Sequence, residues 1–270
     1  MDKDFTTIKN VKITHPSKIL FPKSKITKLE LVNYYLKVEK LILKELKDKP
    51  ITLIRSPHGL GGDIQFVQKH PSESFPEYIE RVKLKEKDGN LDYYIEIDQI
   101  DDILYLLNIG VLEFHITNSC LSDYEHPDKL IFDLDPDEDL DLKHVYKCAF
   151  DIKAELESRG FKPTLKTSGG KGFHIIAQMT EKKTWDYVHA YAKEIADKLA
   201  LQNDLYTTVV SKDLRKGKIF IDYLRNSRGA TTVAAYSTRA KEGAPISMPI
   251  DWEDLEKTKP NQFTIKDFLN

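Results

Sequence analysis

The segment Leu130-Ile131-Phe132-Asp133-Leu134-Asp135-Pro136 constrains this chain more than any other stretch. An apolar run closing in alternate acids fits a β-strand, whose successive side chains point to opposite faces. Phe132 and Leu134 then enter a core while Asp133 and Asp135 project together from the other face. Two carboxylates side by side repel, and folding gains nothing from that; their spacing suits shared metal ions. Pro136 cannot donate to a sheet ladder, so the strand should end there with the acids at its mouth. A calcium loop is the competing reading of the acids from Asp133 to Asp141. Counted from Asp133, it would need glycine at Glu138 and a bidentate glutamate at His144, so it fails. Asp139 or Asp141 is instead expected to cap the helix that follows.

A chain of 270 residues, 40% apolar and 31% charged, is long enough for a large core, as one domain or two lobes. Cys120 and Cys148 are its only cysteines and form no C-x-x-C, so neither a disulfide framework nor a cysteine-rich zinc site is expected, and a reducing cytoplasm fits best. No signal peptide or membrane span is expected either. The net charge of −2 argues against a nonspecific nucleic-acid coat, but the charge is unevenly placed. Between Ser211 and Lys241 eight Lys or Arg face two acids, and four of the seven arginines of the chain fall there. Arginine forks onto phosphate, so this window favours a phosphate-rich ligand.

Along the chain, Val11 to Pro22 reads as a short strand and turns. Thr27-Lys28-Leu29-Glu30 has capping-box spacing and opens a helix running to about Leu46. Residues 1–49 hold twelve lysines against six acids, for most of which a solvated surface is the simplest reading. Strands are expected over Ile51–Arg55 and up to Phe66, with a hairpin of Val82–Lys85 and Tyr93–Ile97 about Asp88-Gly89-Asn90. Glu86-Lys87-Asp88-Gly89 has Glu where a ligase nucleophile motif needs Lys, so only a turn is read. A helix at Ile103–Ile109 and a strand at Val111–Ile116 deliver His115. After the central strand come a helix stopped by Gly160, strands at Lys162–Lys166 and Phe173–Met179, a helix at about Thr184–Leu199, and a strand at Lys218–Leu224 carrying Asp222. A last short element is expected at Ile265–Leu269.

Ser168-Gly169-Gly170-Lys171-Gly172-Phe173-His174 is the second strong feature. Three glycines let a backbone turn sharply and offer N–H groups to an anion, with a hydroxyl, an ammonium and an imidazole added by Ser168, Lys171 and His174. A triphosphate is the natural fit. A Walker A loop is excluded, because the lysine precedes glycine and a strand rather than Ser or Thr and a helix.

The order Asp133-x-Asp135, then the Ser168 to His174 turn, then Phe220-Ile221-Asp222 resembles the archaeo-eukaryotic primase superfamily. It is most similar to the polymerase module of bacterial ligase D and its stand-alone relatives. The likeness continues through His15-Pro16-Ser17-Lys18, Phe66-Val67-Gln68-Lys69, Leu112-Glu113-Phe114-His115, Asp222-Tyr223-Leu224-Arg225-Asn226, Tyr236-Ser237-Thr238-Arg239 and Pro245 to Trp252, nearly the whole chain. It implies an α/β primase-polymerase fold of two mixed or antiparallel sheets flanked by helices, with a catalytic core like an RNA-recognition-motif sheet. It implies one domain over 1–270, with an N-terminal lobe to about residue 110 and a catalytic lobe from about 111.

By the same resemblance Asp133, Asp135 and Asp222 hold two divalent ions, Mn²⁺ or Mg²⁺. Ser168, Lys171, His174, His115 and Arg239 grip an incoming NTP or dNTP, Phe66 stacks on it and Lys69 lies nearby. Lys18 and Lys28 bind a 5′-phosphate at a gap or break in DNA, and Arg215 lies in a basic loop that meets primer or template. The implied activity is extension or filling of DNA ends in non-homologous end joining, with a preference for ribonucleotides, in the cytoplasm at the nucleoid. Ku would be a partner, and a ligase would act as a separate chain. Two alternatives stay open: a primase that starts strands de novo, and a non-catalytic DNA-end adaptor.

Overall fold

The computed structural model describes residues 4–86 and 88–269, so Lys87 of the expected turn lies outside the described residues. The chain forms two compact units, one of Met1–Ile116, Val233–Ser247 and Phe263–Asn270, the other of Thr117–Thr232 and Met248–Gln262.

The first unit begins with two antiparallel pairs, β1 (Phe5–Ile8) with β2 (Val11–Thr14) and β3 (Ile19–Phe21) with β4 (Ile26–Thr27). Thr27 then caps α1 (Lys28–Lys37): its side chain accepts from Glu30 N–H, and Glu30 returns to Thr27 N–H at 2.7 Å. The expected single helix to Leu46 is broken. Buried Val38 leaves helical ψ (φ −99°, ψ 12°), and α2 (Glu39–Leu46) starts anew beyond it. The main sheet holds β5 (Ile51–Arg55), β6 (Phe66–Gln68), β7 (Arg81–Lys85), β8 (Leu91–Ile95) and β9 (Val111–Ile116), with α3 (Ile100–Asn108) before β9 and the late strand Thr232–Val233 next to β9. In it β5 pairs with β9, β6 and β8, and β7 forms the edge. Tyr34 and Tyr35 of α1 are fully buried, the latter edge-on to Phe114 at 5.4 Å. Each such side chain contributes roughly 1.5–3 kcal/mol by leaving water.

The second unit is built on β10 (Lys129–Pro136), which ends at Pro136 as its missing N–H requires. Then come α4 (Leu142–Ser158), β11 (Thr164–Thr167), β12 (Phe173–Gln178), α5 (Trp185–Gln202), β13 (Tyr206–Thr207) and β14 (Ile219–Asp222). After the short β15 (Thr232–Val233), β16 (Pro249–Ile250) returns to this sheet, and α6 (Lys266–Leu269) closes the chain. The sheet order is β13-β14-β10-β12-β11-β16. Phe132, Leu134, Ile175, Ile219 and Ile221 share one buried cluster with the apolar stripes of α4 and α5. By strand alternation the remaining residues, Asp133, Asp135, His174, Phe220, Asp222 and Lys166, share the opposite face. Asp141, not Asp139, caps α4, accepting from Lys143 N–H at 3.0 Å. No helix among the described residues is long and apolar enough to cross a membrane.

Candidate active site

Register brings the acids of the second unit together. In the ladders of β10, Asp133 is the direct partner of Asp222 on one side and of His174 on the other. Asp135 stands opposite Phe220. β14 stops at Asp222 instead of running to Leu224, because Asp222 Oδ1 accepts from Leu224 N–H at 2.9 Å and tightens the chain into a 3₁₀ turn at Leu224–Asn226. That turn swings Arg225 back over the acids. Its Nε lies 2.9 Å from Asp222 and 3.5 Å from Asp133.

The turn is locked from below by Asn226, whose side chain is fully buried. It accepts from Ile131 N–H at 2.9 Å and donates to the Ile131 carbonyl at 2.7 Å, filling the place of a neighbouring strand beside β10. Losing that amide would strand two backbone groups of β10, two residues from Asp133.

The two facing acids are electrostatically unlike. Burial works to raise Asp133, but His174 at 3.3 Å, then Arg225 and Lys166, outweigh it and hold its carboxyl well below the usual range. Asp222 moves the other way: burial, with repulsion from Asp133, lifts its carboxyl despite Arg225. Asp135 is half exposed and pairs with Arg215 at 3.2 Å. Arg215 lies flat on Phe220, its guanidinium carbon 4.0 Å from the ring centre, and only 13% of its side chain is exposed. The residue expected in a DNA-facing basic loop thus packs against the acids.

In the glycine turn, Ser168 is buried and its Oγ accepts from Gly170 N–H at 3.0 Å and Gly172 N–H at 3.3 Å. The N–H groups expected to cradle an anion are therefore turned onto that hydroxyl. Gly172 has a steric reason to be glycine, since a Cβ there would lie 1.8 Å from the Leu134 carbonyl oxygen. Lys171 reaches Glu138 at 2.6 Å on the surface.

The donor set of Asp133, Asp135 and Asp222 is all carboxylate, the chemistry of hard divalent ions. Arg225 between two of them is a side-chain stand-in for such a cation. No group of three or more His, Cys, Asp or Glu side chains among the described residues is gathered to hold a metal ion.

The other sequence-predicted residues lie in the first unit. His115 Nε2 and Arg239 Nε both meet Glu113 Oε2, at 2.7 and 2.8 Å, and Ala240 N–H donates to Glu113 Oε1 at 2.8 Å. Burial opposes ionisation of Glu113, yet His115, Arg239 and Ala240 pull its carboxyl down to about 2. Phe66 opens β6 with Arg55 5.1 Å over its ring, and Lys69 follows the strand. Lys18 donates to the Pro57 carbonyl at 2.8 Å. Lys28 is buried and donates to the Thr14 and Asn108 carbonyls at 2.8 and 3.0 Å, and to Asn108 Oδ1 at 3.2 Å. Burial, then the charge of Lys18, lowers its pKa to about 8.

Sequence reading assigned no role to Arg225, Asn226, Glu113 or Lys166. A signal existed for two of them. Glu113 sits two positions from His115 on one strand face, and Arg225 follows Asp222 by three, one turn of a 3₁₀ helix.

A family model described as LigD, primase-polymerase domain, matches residues 27–270. The multifunctional non-homologous end joining protein LigD of Pseudomonas aeruginosa is 36% identical over 262 residues, 95% of this chain and 30% of that protein. The bifunctional LigD of Bacillus subtilis is 28% identical over 268 residues, 96% of this chain and 43% of that protein. The chain thus spans less than half the length of these relatives. Among solved structures, the polymerase domain of Mycobacterium tuberculosis ligase D in complex with DNA superposes with a TM-score of 0.87 at 26% identity, covering 95% of this chain and 92% of that one.

Proposed function

The chain belongs to the LigD primase-polymerase domain family, and on that premise we propose that it is a DNA-dependent nucleotidyltransferase that extends or fills DNA ends in non-homologous end joining. The observation that carries this reading is the register pairing Asp133 with Asp222 across neighbouring strands, with His174 on the far side of Asp133. Three carboxylates facing one way would gain nothing in a mere DNA binder. They have a use where phosphoryl groups and cations meet.

Asp133, Asp135 and Asp222 would hold the divalent ions, which when bound lower the pKa of a primer 3′-hydroxyl and neutralise charge on the leaving pyrophosphate. Asp133 stays ionised across the physiological range because His174 and Arg225 stabilise its charge. Arg225 and Arg215 pair with these carboxylates from neighbouring turns. Ser168, Lys171 and His174 supply a hydroxyl, an ammonium and an imidazole for the triphosphate. Lys171 is held only by an exposed pair with Glu138, which exchanges readily for a phosphate. In the first unit Arg239 and His115 are held by Glu113 as further phosphate donors, and Phe66 offers an aromatic face to the base. Lys18 and Lys28 take the 5′-phosphate of the downstream strand, and ribonucleotides are the preferred substrates. Ku and a ligase are the partners of this role, and DNA with a gap or break is its substrate.

The test is primer extension on gapped DNA with Mn²⁺ or Mg²⁺. Asp133→Ala should lower incorporation by on the order of 10³-fold or more, as loss of a central electrostatic group does, while DNA affinity is kept. Extension at wild-type rate by that variant would remove the metal assignment. A parallel run with template and NTPs but no primer should give no product; strands started there would favour the primase reading.

A further inference from the structure

At the end of β12 remote from the acids, the α4–β11 and β12–α5 connections enclose a cavity of about 640 Å³. Gln178 in its wall lies four residues along β12 from His174, about 13 Å at strand rise, so the cavity is separate from the acid cluster. Its surface carries a row of partly exposed rings. Phe161 and Tyr191 have centroids 6.4 Å apart, and Tyr191 and Tyr187 are 6.1 Å apart and stacked at 14°. Tyr187, at the outer end, is 50% exposed. Cations lie over two of the rings, Arg159 at 5.0 Å from the Tyr191 centre and Lys183 at 5.2 Å from that of Tyr187.

Arg159, Lys162 and Lys183 line the cavity; Arg159 and Lys183 are paired with acids, and Lys162 is exposed. Arg159 is anchored by Glu155 and Glu194, each at 2.8 Å, which fixes its plane against Tyr191. The Lys183–Glu181 pair at 3.0 Å is exposed and exchanges easily. None of these groups takes part in the chemistry above. Of the three rings, Tyr187 is the one most open to solvent.

We propose that this cavity binds a base of single-stranded nucleic acid, stacked on Tyr187, with the adjoining phosphates on Lys162 and Lys183. An aromatic face accepts any base, and a rim of cations follows the backbone, which is how sequence-tolerant single-strand sites are made. The proposal rests on the DNA-acting reading for its ligand class but uses none of the acids, so it can be tested apart from extension.

The probe is a short oligothymidylate carrying 5-iodouracil, irradiated with the intact chain and mapped by mass spectrometry. Cross-links are expected on Tyr187, Tyr191 or Phe161. Tyr187→Ala should weaken binding of the same oligonucleotide by about tenfold, within the range for one stacked base, and Tyr187→Phe should keep it, because stacking needs the ring and not the hydroxyl. Lys162→Ala should lower the slope of log affinity against log salt by about 0.7, one phosphate on a single strand. An unchanged melting temperature in Tyr187→Ala separates lost contact from lost fold. Cross-links confined elsewhere, or wild-type affinity in Tyr187→Ala, would overturn the proposal. So would an acidic peptide that occupies the cavity while oligothymidylate does not. Loss of extension with these cross-links intact would count against the polymerase reading alone.

Discussion

The acid clusters of the two units differ in how many carboxylates face one another. In the first unit one carboxylate, Glu113, meets His115, Arg239 and a backbone N–H, and its pKa falls to about 2. In the second, two carboxylates face each other: Asp133 is held down first by His174, with Arg225 and Lys166, while burial and the charge of Asp133 lift Asp222 although Arg225 lies 2.9 Å from it. A lone carboxylate beside cations stays ionised and holds their side chains in place. Where two carboxylates face each other, each raises the cost of ionising the other.

Substitution should separate the two clusters by sign as well as size. Glu113→Gln should cost the most stability, about 3 kcal/mol at neutral pH if the full depression of its pKa is lost. The sign follows from linkage: a carboxyl held below its unfolded value near 4.5 stabilises above that pH and loses the contribution as pH falls toward 2. Urea melts of wild type and Glu113→Gln should therefore converge between pH 4.5 and 2; a gap constant with pH would show that Glu113 acts by packing alone.

Asp222→Asn should go the other way. Its carboxyl is lifted above the ordinary range, so ionisation there weakens the fold at neutral pH. The variant should melt at the same temperature as wild type or a degree or two higher, roughly, while extension fails. A drop of many degrees would mean that Arg225 needs the Asp222 charge more than Asp133 resents it.

The smallest effect is expected at Lys18. Lys28 uses its ammonium on three oxygens of the fold, so replacing it disturbs the unit as well as any ligand. Lys18 makes one bond, to the Pro57 carbonyl, and Lys18→Ala is the cleaner probe. It should lower the preference for a phosphorylated gap by several-fold, the scale of one charged phosphate contact, with melting nearly unchanged. Equal loss on phosphorylated and unphosphorylated gaps would break the assignment.

Several features were legible because they are local. The alternation Phe132-Asp133-Leu134-Asp135 needs only the period of a strand to put the acids opposite the core. Thr27 with Glu30, and Asp141 before α4, needed only capping geometry, and three glycines in five positions announced a tight turn. Other features depended on tertiary contacts. The break at Val38 inside an uninterrupted helical pattern was invisible, because no glycine or proline marks the place where the chain leaves helical ψ.

Sequence alone determined which side chains face which way along each strand, because strand alternation is a property of the backbone. Only the tertiary structure decided which strands became neighbours and in what register. That choice set Asp133 against Asp222, laid Arg225 and Arg215 on the acids, and turned the glycine N–H groups onto Ser168. Partners of a charge come from residues distant in the chain, and Coulomb energy depends on their separation in space and on burial, neither of which any run of letters contains.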